Sequence, residues 1–198
     1  MRKPRTQGHL LLNLFCCFLI PAYTLLFAGS ITWFGTNFSV IAVTGRDHYR
    51  GFFLWGVLAG GLFLVLTARI IHRLPGFWGK LPLYLLTYLA VAALAYALMI
   101  PYLPESWPGY AALHVALAAG ACVLMMADLL LVLLRYCLRD RVRWNSCLAA
   151  WAGIALCSGL IFLIGGMVTS ALEVFFTIAV TLLLRKMFLL SAASQSQS

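Results

Sequence analysis

The sequence predicts an all-α fold of the polytopic membrane class, a bundle of six transmembrane helices with both termini cytoplasmic. Three observations carry that expectation. Apolar residues make up 64% of the 198-residue chain and charged residues only 10%, and the mean hydropathy is +0.98. Soluble domains run at about half apolar and about a quarter charged, so too few polar side chains exist here to cover a water-facing surface. Six apolar stretches reach or approach the roughly 20 residues that cross a bilayer core as a helix. Finally, the positive charges fall almost entirely on one side of that layout. Barrel strands would give short alternating segments instead, and disordered chains are poor in apolar and aromatic residues.

The first span is expected over about 10–28. Its basic start, with Arg2, Lys3 and Arg5, looks like the n-region of a signal peptide. The apolar part, however, exceeds the roughly 7–15 residues of such a segment, so an uncleaved helix is expected. Pro21 should kink it. The first outer loop, 29–51, is rich in β-branched and aromatic residues: Ile31, Thr32, Trp33, Phe34, Phe38, Val40, Ile41 and Val43. Such a stretch suits a hairpin or interfacial lid. Asn37-Phe38-Ser39 also matches a glycosylation sequon. The second span, 52–71, carries Gly56 and Gly60, and the fifth, 147–164, carries Ala149 and Gly153, then Ala155 and Gly159, each pair four residues apart. Small residues at such spacing let helices approach closely, within one chain or in a dimer. The third and fourth spans cover 81–103, with Pro82 near its start, and 110–134. Gly165-Gly166 should turn the fifth span tightly into the sixth, 167–184. Residues 1–190 then form one transmembrane domain, and 191–198 a polar, disordered tail.

Twelve of the 14 Lys and Arg residues lie at the termini and in the second and fourth connections; only Arg46 and Arg50 lie opposite. The positive-inside rule makes the twelve-charge side cytoplasmic, and an even number of spans puts both termini there. The net charge of +9 therefore serves orientation and anionic headgroups, with no nucleic-acid partner. Localisation is expected in a membrane as a multi-pass protein, the cell membrane if the source is bacterial. Arg69, His72 and Arg73, at a helix end, are expected to snorkel. Trp33, Phe34, Tyr49, Phe52, Phe53, Tyr102, Trp107 and Tyr110 form an outer aromatic belt, whether for anchoring or around a ligand site.

Two acids, Asp128 and Glu173, fall inside expected spans, where each needs a partner, a proton or a wet cavity. Thr169, Glu173, Thr177 and Thr181 recur at steps of four, a polar stripe on one helix face. His114, Ala118, Ala121, Met125 and Asp128 share a face of the fourth helix. Matching depths predict a His114–Glu173 pair. These residues either bind helices together through hydrogen bonds or line a proton or substrate path.

Chemistry of other kinds has no signature. The six cysteines lie outside the outer loops and form no C-x-x-C, so neither a disulfide framework nor a metal site is implied. His9, His48, His72 and His114 do not make a haem pair. Gly76-Phe77-Trp78-Gly79-Lys80 lacks the first glycine and the Ser or Thr of a phosphate loop, and neither G-x-S-x-G nor H-E-x-x-H occurs. No catalytic residue and no cofactor is expected.

The layout resembles small six-span proteins of the DRAM/FRAG type and their bacterial uncharacterised relatives. The local similarity runs from about Asn37 to Thr67: Asn37-Phe38-Ser39-Val40-Ile41, then Gly45-Arg46, Phe52-Phe53 and Gly60-Gly61. The family's usual Ile-Ser with a following Gly is not reproduced cleanly. The resemblance implies fold and carries no catalytic residue over. Two functions are consistent with the sequence. One is a non-enzymatic membrane protein that organises or senses lipid or partner proteins, including a second copy of itself. The other is a small proton- or solute-coupled transporter or channel subunit using the intramembrane acids.

Overall fold

The computed structural model describes residues 10–29, 32–45, 47–76 and 79–194. Readings that involve Arg2, Lys3, Arg5, His9, Ile31, Arg46, Phe77, Trp78 or residues 195–198 lie outside the described residues. All regular structure among the described residues is helical. Six helices are long and apolar enough to cross a membrane: α1 (Leu10–Ala28), α3 (His48–His72), α4 (Leu81–Met99), α5 (Pro108–Cys137), α6 (Arg141–Gly165) and α7 (Ser170–Ser194). They suit a multi-pass integral membrane protein. A short seventh helix, α2 (Phe38–Thr44), lies in the connection between α1 and α3.

Each element follows from local chemistry. Pro21 cannot donate a backbone hydrogen bond to the preceding turn, and the helix accommodates it with a π-helical turn over Leu14–Leu19. Ile20 N accordingly donates to Phe15 O, five residues back. Gly166 ends α6 in the left-handed region at φ 66°, its N–H donating to Phe162 O at 2.9 Å; a glycine adopts that conformation without steric cost. Asp140 caps the start of α6 by accepting from Arg143 N at 3.0 Å.

Packing follows chain order, α3 on α4, α4 on α5, α5 on α6 and α6 on α7, and α7 closes the bundle against α1 and α3. A long core includes Phe63, Leu66, Ile70, Leu129, Leu133, Trp144, Leu184 and Met187. Trp144 stacks on Tyr136 with ring centres 4.1 Å apart. A second cluster joins Phe38 and Ile41 of α2 to Phe52, Trp55, Leu98 and Val174. Helix α6 is the most peripheral, with 11% of its span buried against 39% for α7.

Several expectations are corrected. The loop over 38–44 is a helix, not a hairpin; Asn37 caps it by accepting from Val40 N at 2.9 Å, and Phe38, Ile41 and Ala42 bury its inner face. Helix α7 continues to Ser194 with Ser191 buried, past the expected start of the polar tail. Arg73 does not snorkel: its Nη1 donates to Phe188 O at 3.0 Å and Ser191 Oγ at 2.8 Å, and the guanidinium lies over the Phe188 ring. Phe52 belongs to the core rather than the belt, while Trp33, Phe34, Phe53, Trp107 and Tyr110 are exposed as an interfacial belt requires. Gly56 and Gly60 pack as expected, facing Leu98 and Leu94 of α4. Gly153 and Gly159 do not: both are exposed, and a Cβ on either would meet nothing within 4 Å.

Candidate functional site

The polar residues singled out by the sequence divide between two places. The first is where the α1–α3 loop rests on the bundle. His114 of α5 is 3% exposed. Its Nδ1 lies 2.8 Å from both Ala97 O and Ile100 O, at the end of α4. Facing only acceptors, Nδ1 carries a proton, and Nε2 lies within hydrogen-bond distance of Ser39 Oγ at 2.7 Å. The imidazole therefore joins α4, α5 and α2.

Glu173 is half-buried in the first turn of α7, because that helix begins at Ser170. Its Oε2 accepts from Phe38 N at 2.6 Å, a short hydrogen bond. The expected His114–Glu173 pair does not form; their hydrogen bonds go instead to neighbouring residues of α2. Adjacent residues of α2 supply partners for both.

The loop backbone completes the junction. Ser170 N donates to Thr36 O at 2.7 Å and Ala171 N to Trp33 O at 3.0 Å, so two N–H groups that a helix start leaves unpaired are satisfied by the loop. Asn37 Nδ2 donates to Val168 O at 3.4 Å. With both ends of its amide engaged, Asn37 serves as a structural cap and brace, which disfavours a glycan there. Thr169, expected on the polar stripe, precedes α7 and caps it, accepting from Leu172 N at 3.3 Å.

The second place is deep between α4 and α5. Asp128 is fully buried, and its Oδ2 lies 2.6 Å from Thr87 Oγ1. The same hydroxyl lies 2.9 Å from Leu83 O, so one proton is shared between two acceptors. Asp128 Oδ1 has no hydrogen-bond partner among the described residues. Of the expected face of α5, His114, Ala121, Met125 and Asp128 are buried and Ala118 is half-buried. Thr181 is buried and Thr177 half-buried; among the described residues neither bonds to Asp128 or Glu173. The stripe is thus a cap, an acid that holds the loop, and two core threonines.

Sequence reasoning missed Ser39, Phe38 N and Thr87. Ser39 and Thr87 are ordinary small polar residues in apolar surroundings, and nothing in their spacing marks them as partners of His114 and Asp128. The asparagine three residues before Val40 was a usable capping signal for α2. No protein-family model matches the chain, and no curated protein or solved structure matches it significantly.

Proposed function

We propose that the chain is a non-enzymatic multi-pass membrane protein that senses or organises lipid or partner proteins, with the latched outer loop as its responsive part. The observation that carries this reading is that His114 and Glu173 engage adjacent residues of α2, Ser39 and Phe38. Each side chain holds a lid against the bundle, a role that needs no moving proton or solute. An amphipathic lid at the interface, held by a few hydrogen bonds, is the kind of element whose equilibrium lipid or a partner can shift. Both termini cytoplasmic, as the charge asymmetry indicates, would place this lid on the outer face. The resemblance to the DRAM/FRAG type agrees with such a role but adds no activity.

Ser39 and His114 lie within the reach of a nucleophile and its base. Against catalysis, the imidazole is held by two main-chain carbonyls and is almost wholly enclosed. A serine-directed fluorophosphonate probe is expected to leave Ser39 unlabelled.

A transporter is the second reading, favoured by Asp128 Oδ1, a fully buried acceptor with no partner among the described residues. Reconstitution into liposomes loaded with a pH-sensitive dye separates the two. The sensing reading expects no flux, with Asp128→Asn and Glu173→Gln changing stability or partner binding. Proton flux abolished by either substitution would establish transport instead.

A further inference from the structure

The basic end of the bundle holds Arg69, Arg73, Lys80, Arg135, Arg139, Arg141, Arg143, Arg185 and Lys186 among the described residues, with Asp140 as the nearby acid. Several cations are committed to neutral acceptors. Arg73 bonds Phe188 O and Ser191 Oγ. Lys80 Nζ donates to His72 O at 2.7 Å, and Arg185 Nε to Asn13 Oδ1 at 2.8 Å. Asp140 is spent on capping α6. Arg135 and Arg139, like Arg69, Arg141 and Lys186, have no side-chain hydrogen bond or ion pair to another described residue, and these two share a notch.

These two arginines lie one turn apart at the end of α5 and line a notch of about 40 Å³ with Leu74, Pro75 and Gly79 of the α3–α4 connection. Gly79 sets the geometry. A Cβ at that position would stand 2.5 Å from Arg135 Nη1, so the guanidinium lies against bare backbone. Beside the notch, Leu138 is 85% and Val142 is 92% exposed. In a membrane-spanning bundle these apolar side chains belong at the boundary of headgroups and acyl chains. The notch is then at phosphate depth.

We propose that this notch binds the phosphate group of an anionic phospholipid, held between Arg135 and Arg139. Guanidinium groups match phosphate oxygens in charge and in planar donor geometry, and basic pockets between membrane helices select anionic headgroups. The flanking Leu138 and Val142 favour a phosphate tethered in the bilayer over a free one. The inference rests on the lipid-sensing reading above and gives it a lipid class.

The test is native mass spectrometry of the full chain in neutral detergent, titrated with phosphatidylglycerol and, separately, with phosphatidylcholine. One phosphatidylglycerol per chain is expected to be retained in preference to phosphatidylcholine. The double variant Arg135→Gln/Arg139→Gln should weaken its binding by about tenfold. Arg141→Gln/Lys186→Gln removes the same charge outside the notch and should change binding by no more than about twofold. Gly79→Ala leaves the charge unchanged and displaces only the end of a flexible side chain, so it should also weaken binding. Thermal unfolding in the same detergent checks that each variant is folded. Equal weakening by both double variants, or unaltered binding by folded Gly79→Ala, would overturn the site. Displacement of phosphatidylglycerol by millimolar inorganic phosphate would overturn the lipid as occupant. Proton flux in the liposome experiment would sink the sensing reading and leave this titration interpretable; failure here would leave that reading in place.

Discussion

His114 and Glu173 hold adjacent residues of one short helix, the imidazole through the Ser39 hydroxyl at 2.7 Å and the carboxylate through the Phe38 amide at 2.6 Å. Neither needs the other. Together they tie a loop from the first quarter of the chain to its fourth and sixth spans. Exchanging them, as in His114→Glu/Glu173→His, should therefore be at least as damaging as either single alanine substitution. Thermal unfolding in detergent checks this; recovery of stability in the exchanged protein would mean the two side chains interact directly.

The Phe38–Glu173 bond should be the stronger strap. Glu173→Ala leaves a main-chain N–H without its acceptor, at a cost of about 1–3 kcal/mol. Glu173→Gln keeps an acceptor in place and should lose no more than about 1 kcal/mol. Hydrogen exchange at the start of α2 should rise in the order wild type, glutamine, alanine. Equal protection in all three would remove Glu173 from the latch.

Thr87 and Asp128 form the deep counterpart. Thr87→Val preserves shape but deletes the donor, leaving the buried carboxyl without its partner, and should cost about 2–4 kcal/mol. Asp128→Leu, which removes the buried acid, should be far milder, since the Thr87 hydroxyl keeps Leu83 O as its acceptor and no buried polar group is orphaned. Unfolding midpoints of the two variants would decide, and a larger loss for Asp128→Leu would point to a role beyond the Thr87 contact.

The glycines offer a contrast within one motif type. Gly56→Ala drives a methyl into Leu98 and should destabilise by about 1–3 kcal/mol, as overpacking does. Gly153→Ala enters open space in a helix interior and should be neutral or stabilising by up to about 1 kcal/mol. Destabilisation by Gly153→Ala, together with loss of a cross-linkable dimer, would show that a second chain covers α6.

Orientation is open to a direct check. A fluorescent protein fused after Ser194 should fluoresce, and alkaline phosphatase inserted at Glu105 should be active, if the basic end is cytoplasmic. The reverse pattern would invert the topology.

Much of this architecture was readable from the chain because spans are an averaged property: twenty apolar residues in a row need no knowledge of neighbours. The inward face from His114 to Asp128 was legible for the same reason, since helical periodicity is local. What escaped was lateral. Depth along a helix places His114 and Glu173 at similar levels without saying what stands between them, and an intervening seven-residue helix changes both partners. Gly56 and Gly153 carry the same packing signal, but which face a neighbour covers depends on bundle topology. In 38–44, β-branched residues suggested strand, yet the Asn37 cap and the apolar face of Phe38, Ile41 and Ala42 prevail. Burial against Trp55 and Phe52 outweighs a small difference in intrinsic propensity.

The bonds from Ser170 N to Thr36 O and from Ala171 N to Trp33 O also bear on how the chain is assembled. During synthesis the outer loop emerges well over a hundred residues before α7, so its carbonyls wait for donors that do not yet exist. The last span, on insertion, meets a receptor already built from the chain's beginning. A nascent protein stalled before α7 would keep an unfastened loop, and membrane quality control could read that loop as the mark of an unfinished molecule.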